Sequence, residues 1–290
     1  MPETNHSVLL IGESGVGKTH YGAQLLSRLY KTESCELTLD TEGHQANLDP
    51  YETTFQKLNA GLAAEHTTST TFIESIWPVV NKAGVKSQLV WPEYAGEQVS
   101  LMLKDRNLPE QWLNSIREGA SWLLMIRLNL HQDQADILSK PVSSIHKEAP
   151  ESPNEVNMSH QARLIELLQI MLFGGGVSLD KPVETPKLAV MLTCWDELGL
   201  DLPPPEKLLE TEMPMLHQFI TSIWEQPLFF GLSALGKALS SDEADEGYVN
   251  LGPEAFGYIV NPEGTKLPDL TIPLRALLDE PITKGGRITQ

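Results

Sequence analysis

Residues 12–19 read GESGVGKT. Two glycines five apart, followed at once by Lys18 and Thr19, have the spacing of a phosphate-binding loop. An apolar run, Val8, Leu9, Leu10 and Ile11, leads into the loop. Beyond it Gly22, Leu25, Leu26 and Leu29 recur at i, i+3, i+4 and i+7, one face of a helix. Strand, glycine loop and helix in that order let successive backbone N–H groups converge on one centre, with the positive end of the helix behind them. The candidate ligand contacts are Gly12, Glu13, Ser14, Gly15, Val16, Gly17, Lys18, Thr19 and His20. Lys18 is placed to reach the β- and γ-phosphates and to stabilise the transferring phosphoryl group, and the Thr19 hydroxyl to ligate Mg²⁺. The implied ligand is a nucleotide with Mg²⁺.

Composition narrows what kind of protein surrounds this loop. The chain has 290 residues, 41% hydrophobic and 21% charged, enough to bury a core as one large domain. Its formal net charge is −18, which argues against a nucleic-acid or anionic-membrane surface as main partner, because both need a cationic face. Cys35 and Cys194 have neither metal-ligand spacing nor the pattern of a disulfide framework. No apolar stretch reaches the roughly 18 residues of a membrane span. With the first strand starting at Val8, a leader peptide has no room, and the expected location is cytoplasmic.

Along the chain, residues 32–70 read as a long polar insertion, and a loop of that size is usually functional or partly structured. It ends in Glu65-His66-Thr67-Thr68, before a β-rich run at 72–80. In guanine-nucleotide switches a mobile loop here delivers a Thr to Mg²⁺ and the γ-phosphate. Thr67 and Thr68 are the candidates, and plain strand entry is the other reading of so many threonines. Asn81-Lys82-Ala83-Gly84 predicts a hairpin turn, so the strand at 87–91 runs antiparallel to its predecessor. At its end lie Glu93, a candidate Mg²⁺ ligand through water, and Gly96, whose N–H would meet the γ-phosphate. Glu97 stands where a Gln usually orients the attacking water.

Helical patterns follow from Val99 and again from Pro109, the second with Trp112, Leu113 and Ile116 on its core face. Residues 122–128, WLLMIRL, read as a strand buried on both faces, with Arg127 at a solvated strand end or, in a functional reading, near the nucleotide. Residues 129–160 read as a polar surface insertion, and 164–173 as a helix apolar nearly all round, buried in its own chain. The buried strand at 187–193 ends in Thr193-Cys194-Trp195-Asp196. A guanine-reading motif, commonly Asn-Lys-x-Asp, sits at this place, with its Asp accepting two hydrogen bonds from guanine. Asp196 fits, with Thr193 standing for the Asn and Cys194 for the Lys. The next strand, 228–232, ends in Ser233, Ala234 and Leu235, where a Ser-Ala-Lys element offers a backbone N–H to guanine O6. Residues 240–246, with four acidic side chains, read as a solvated loop, and 269–273 as the cap of a last helix.

Phosphate loop, switch Thr, Glu-x-x-Gly, Thr-x-x-Asp and Ser-Ala stand in the order of a Ras-like GTPase. That predicts a three-layer α/β fold: a mostly parallel six-stranded sheet with one antiparallel strand and helices on both faces, one domain over 1–290. GESGVGKT, the AAEHT segment, WPEYAGE, MLTCWDEL and the terminal FGYIVNPEGTKLPDLTIPL together resemble the first type of double-GTPase domain of prokaryotic conflict and antiviral-defence systems. The resemblance spans essentially the whole chain. It implies a GTP- and GDP-binding, Mg²⁺-dependent, slowly hydrolysing switch that works beside a second GTPase or an effector of the same system. The altered residues Glu97, Thr193 and Cys194 keep open two alternatives, a nucleotide-binding regulatory module with little hydrolysis and an ATPase.

Overall fold

The computed structural model describes residues 7–31, 35–40, 49–64, 73–93, 96–118, 121–130 and 158–278; at 31, 49–50, 73–74, 90–93 and 96–98 it does so for the backbone alone. These residues build an α/β fold around a large mixed sheet. Its strand order is β2 (Leu37–Leu39), β3 (Ile73–Asn81), β4 (Lys86–Glu93), β1 (Ser7–Ile11), β5 (Ser121–Ile126), β6 (Leu188–Thr193), β7 (Leu228–Ser233), β8 (Tyr258–Val260) and β9 (Lys266–Leu267). The core from β4 through β7 is parallel throughout. β3 joins it antiparallel through the predicted turn, where the Asn81 side chain accepts from the N–H groups of Ala83 and Val85 at 2.9 Å each.

The sheet has nine strands rather than the six expected. The six are all present, and β2, β8 and β9 extend them antiparallel at the two edges. These additions are two or three residues long, too short to display an alternating pattern. The insertion over 32–70 is partly structured, one of the two readings of a loop that long. It contains β2 and the helix α2 (Asp49–Asn59), whose Tyr51, Thr54 and Leu58 are buried at helical spacing. The expected surface insertion over 129–160 begins as a short 3₁₀ turn, Leu128–Leu130, and the rest of it up to 157 lies outside the described residues.

Alternation along each strand divides the core into two layers. Leu9 and Ile11 of β1 face one side with Trp122, Leu124, Ile126, Val190 and Leu192. Val8 and Leu10 face the other with Leu123, Met125, Met191 and Phe230. The first side is covered by α3 (Gly96–Asp105), α4 (Glu110–Arg117), α5 (His160–Gly174), α6 (Pro205–Glu212) and α7 (Pro214–Ile223). The second is covered by α1 (Lys18–Lys31) and the last helix, α9 (Ile272–Leu278), with α8 (Glu246–Leu251) beyond. α5 is the helix read as apolar all round. Leu164, Leu167, Leu168, Met171 and Leu172 are buried in it, while Phe173 at its end is 89% exposed. Among the described residues no helix is long and apolar enough to cross a membrane.

α1 is buried on its polar face as well as its apolar one. Leu25, Leu26 and Leu29 meet the sheet, as the periodicity predicts. Tyr21, Gln24, Ser27 and Arg28 line another face and are all buried. They dock the C-terminal segment: the Tyr21 hydroxyl donates to the Leu270 carbonyl at 2.9 Å, and Ser27 to Glu254 at 3.2 Å. The Arg28 guanidinium donates to Gln24 Oε1 at 2.7 Å and to the carbonyls of Pro268 and Glu254 at 3.2 and 3.3 Å, and also reaches that of Phe256.

Removing this guanidinium leaves several buried acceptors without a donor. Arg28→Ala is therefore expected to lower the unfolding free energy by about 3 kcal/mol, read as an earlier urea midpoint. A midpoint equal to that of the unchanged protein contradicts this role.

Candidate functional site

Five loops meet at one end of the sheet because β4, β1, β5, β6 and β7 run parallel and end on the same side. In open α/β sheets that end is where ligands sit. The loops carry the phosphate loop after β1, Glu93 at the end of β4, Arg127 after β5, the Thr193–Asp196 segment after β6 and Ser233–Leu235 after β7. A cleft of about 650 Å³ opens among four of them, lined by the phosphate loop on one side and by Asp196, Glu197, Ala234 and Leu235 on the other.

The phosphate loop is folded as its glycines require. Gly15 and Gly17 have φ of 77° and 85°, where a side chain is strained. A Cβ on Gly12 would lie 2.8 Å from Val16 and 3.1 Å from the Met125 carbonyl, so the loop lies tight over β5. Lys18 folds back over it and donates to the carbonyls of Gly12 at 2.8 Å and Glu13 at 2.7 Å. Burial lowers the Lys18 ammonium to about 8, opposed by the nearby Glu13 carboxylate. Thr19 and His20 also line the cleft. His20 Nε2 accepts from the Ala64 N–H at 3.2 Å, which places its proton on Nδ1.

Glu13 does not present its carboxylate to the cleft. The carboxylate turns to the start of α5, 2.7 Å from His160 Nε2 and 3.2 Å from Arg163. Burial pushes its acidity toward the neutral form, but these two partners outweigh that and hold its pKa low. A negative charge inside a loop built for anions is thereby matched from outside it.

On the other wall, Thr193 is buried and its hydroxyl donates to the Ile126 carbonyl at 3.2 Å. Cys194 takes a left-handed conformation, φ 53°, and opens a 3₁₀ turn, Trp195–Glu197, that carries Asp196. Trp195 packs so closely over Gly231 of β7 that a Cβ there would lie 2.3 Å from the indole. Ser233 is fully buried behind the cleft, its hydroxyl accepting from the Gly236 N–H at 2.8 Å, while Ala234 and Leu235 reach the lining. The Tyr248 hydroxyl donates to the Leu235 carbonyl and fixes that loop from behind.

Arg127 is not at a solvated strand end. One residue past β5, its guanidinium donates to the Gly15 carbonyl at 3.2 Å and to both carboxylate oxygens of Glu197, the shortest bond at 2.7 Å. For Arg127 the solvated strand end was the preferred of two readings, and Glu197 was not read as a site residue. The signal available was a charged residue closing an apolar strand at the ligand end of the sheet. The loop at 240–246 is likewise more than solvated: the Ser240 carbonyl accepts from the Ala63 N–H at 2.8 Å, and the Asp245 N–H donates to the Gly61 carbonyl at 3.0 Å. This holds the end of α2 beside the cleft, which Ala63 and Ala64 line.

The backbone places Glu93 at the last position of β4 and Gly96 and Glu97 at the start of α3. Thr67 and Thr68 lie outside the described residues. Among the described residues no group of three or more His, Cys, Asp or Glu could hold a metal ion. Thr19 follows Lys18 at the start of α1 and lines the cleft.

The model of the family described as Double-GTPase 1 matches residues 9–277. No match is found among curated proteins. Similar solved structures include Methanosarcina barkeri Roco2 RocCORdC bound to GDP, 15% identical with a TM-score of 0.34, covering 92% of this chain and 53% of that one. Others are the signal recognition particle receptor SRb-GTP/SRX complex from Chaetomium thermophilum (13% identical, TM-score 0.38, 82% and 94% covered) and the S. cerevisiae Ski7 GTPase-like domain bound to GDP and inorganic phosphate (16%, 0.39, 84% and 47%). The chain spans about half the length of the first of these. At such TM-scores the likenesses support no further step.

The Lys18 shift has a sign that can be measured. The unfolded lysine titrates near 10.5 and the folded one near 8, so between these values the unfolded chain holds the extra proton. Stability is then expected to rise with pH from 8 to 10.5, by up to about 3 kcal/mol relative to Lys18→Met. Urea unfolding of both proteins across that window checks it, and parallel pH profiles contradict it.

Proposed function

This chain belongs to the Double-GTPase 1 family, and we propose that its GTPase-type domain binds GTP or GDP with Mg²⁺ and hydrolyses GTP slowly as a molecular switch. The observation that carries the proposal is the cleft itself, in which the phosphate loop faces the turn bearing Asp196. Phosphates fit the wall made of loop amides and the Lys18 ammonium. Asp196 fits the N1 and N2 donors of guanine, and the Ala234–Leu235 backbone its O6.

Binding swaps the two loop carbonyls that now hold Lys18 for phosphate oxygens. The charged ammonium, disfavoured by burial in the free protein, is stabilised there by opposite charge. When bound, Mg²⁺ would neutralise charge on the β- and γ-phosphates; Thr19 is the residue to hold it, with Glu93 acting through water and Thr67 or Thr68 closing from the switch. Positioning and preorganised donors then do most of the work on the transferring phosphoryl group. The N–H of Gly96 would sense the γ-phosphate, and Glu97 takes the sequence position of the Gln that usually orients the attacking water.

The family resemblance supports a partner role, with this domain licensing a second GTPase or an effector in a bacterial conflict system. A second reading, stable nucleotide binding with little turnover, is favoured by Glu97, an acidic residue at the sequence position where a neutral Gln normally orients water. Single-turnover hydrolysis of bound GTP separates the two.

Lys18→Ala is expected to abolish measurable GTP and GDP binding in calorimetric titration. Near-normal binding in that variant refutes the phosphate site. Asp196→Asn is expected to weaken GTP about ten- to a hundredfold, the scale of lost charge-assisted hydrogen bonds, and to favour xanthosine triphosphate instead. An unchanged preference between the two nucleotides, or wild-type protein that prefers ATP, removes Asp196 from the base site.

A further inference from the structure

Two walls of the cleft must act together for a nucleotide to be held at both ends, and they come from loops far apart in sequence. In the common form of the base-reading segment a lysine follows the first residue. Here that place is held by Cys194, whose thiol burial raises to about 11, so it carries no charge at neutral pH. Lys237 also lines this side of the cleft and is paired with Asp245 at 2.6 Å, and a second cation comes from another strand. Arg127 Nη1 donates to the Gly15 carbonyl at 3.2 Å, while Nη2 and Nε donate to Glu197 at 2.7 to 3.2 Å. Asn129 adds a bond to the same carboxylate at 3.3 Å.

Each end of this bridge is attached to something that matters. Gly15 lies between the loop's first and last glycines, and its peptide is planar and trans, so holding the carbonyl toward Arg127 directs the Val16 N–H the opposite way. That N–H is one of the donors the phosphate loop offers. Glu197 is the residue after Asp196 in a single 3₁₀ turn, closed by the Glu197 N–H on the Cys194 carbonyl at 2.9 Å and seated by Trp195 against Gly231. The backbone that carries the Glu197 side chain is therefore the one that carries Asp196. The Arg127 and Glu197 side chains are 29% and 35% exposed, which takes the pair out of the fully solvated regime where ion pairs contribute little. The guanidinium can serve both ends at once because it is a planar fork with donors on several edges, which an ammonium lacks.

We infer that Arg127 is a positioning residue that couples the phosphate subsite to the base subsite, so that guanine held by Asp196 and phosphates held by the loop reinforce each other. This rests on the cleft being a guanine-nucleotide site. The coupling predicts a pattern that simple support of the fold does not. Glu197→Gln keeps the Arg127 bond to Gly15 but weakens the tie to the turn. It should leave affinity for inorganic tripolyphosphate, which has no base, within about twofold. GTP should weaken about tenfold, on the scale of measured pair couplings. The preference for GTP over ITP should shrink, because ITP lacks the 2-amino group that Asp196 would accept from. Arg127→Met should weaken both tripolyphosphate and GTP, and the double variant should be no weaker for GTP than Arg127→Met alone.

The test is competition binding of GTP, ITP and tripolyphosphate to the full chain and its three variants, with thermal melting alongside. Equal losses for GTP and tripolyphosphate in Glu197→Gln, an unchanged GTP to ITP ratio, or additive losses in the double variant overturn the coupling. Wild-type protein that binds neither GTP nor GDP overturns the functional reading, and the coupling with it.

Discussion

A guanidinium cannot give up its proton, so once buried it must find an acceptor for nearly every N–H it carries. Arg28 is 2% exposed and meets that demand with the carbonyls of the segment that runs through Glu254, Phe256 and Pro268. The rest of the ligand end depends on this. α1 begins at the phosphate loop, so docking α1 orients the loop. The same segment supplies β8 and β9, and the nearby Tyr248, bonded by Gln24 of α1, holds the Leu235 carbonyl. Both walls of the cleft are thus referred to one helix.

The loop itself shows how charge is distributed around an anion site in an acidic chain. Glu13 lies within the phosphate-binding sequence, yet its carboxylate is turned outward and matched by His160 and Arg163 of α5. Lys18 points inward and is held on carbonyls at the expense of its charged form. Arg127 stands between the loop and a carboxylate beside the base wall. A net charge of −18 therefore says little about the local field, which basic side chains placed on named backbone and carboxylate oxygens help to set.

Much of this was legible in the sequence where a pattern repeats or a backbone demand is strict. GESGVGKT announced its loop, and the apolar runs announced β1, β5, β6 and β7, because strands buried on both faces are long and unbroken. Asn81 to Gly84 announced the hairpin. β2, β8 and β9 were not legible, since a strand of two or three residues exists only through its neighbour's ladder. α2 did carry a helical spacing, Tyr51, Thr54 and Leu58, but polar residues around it diluted the signal. The burial of the polar face of α1 was not legible, because that of Arg28 and Gln24 depends on a segment more than 200 residues away. The pairing of Arg127 with Glu197 was missed for the same reason: the two are neighbours only after the strands are in order.

The short antiparallel strands at the margins of the sheet have a consequence for assembly. Parallel cores of this kind otherwise end in full-length strands, whose unpaired N–H and C=O groups invite another chain to continue the ladder. Here the terminal positions belong to β2, with three residues, and β9, with two, and Lys266 of β9 lies over the Tyr258 ring at 4.5 Å. A neighbour adding a strand at either margin would gain only a few ladder bonds. Among the described residues, the margins of the sheet thus offer little backbone on which its ladder could continue.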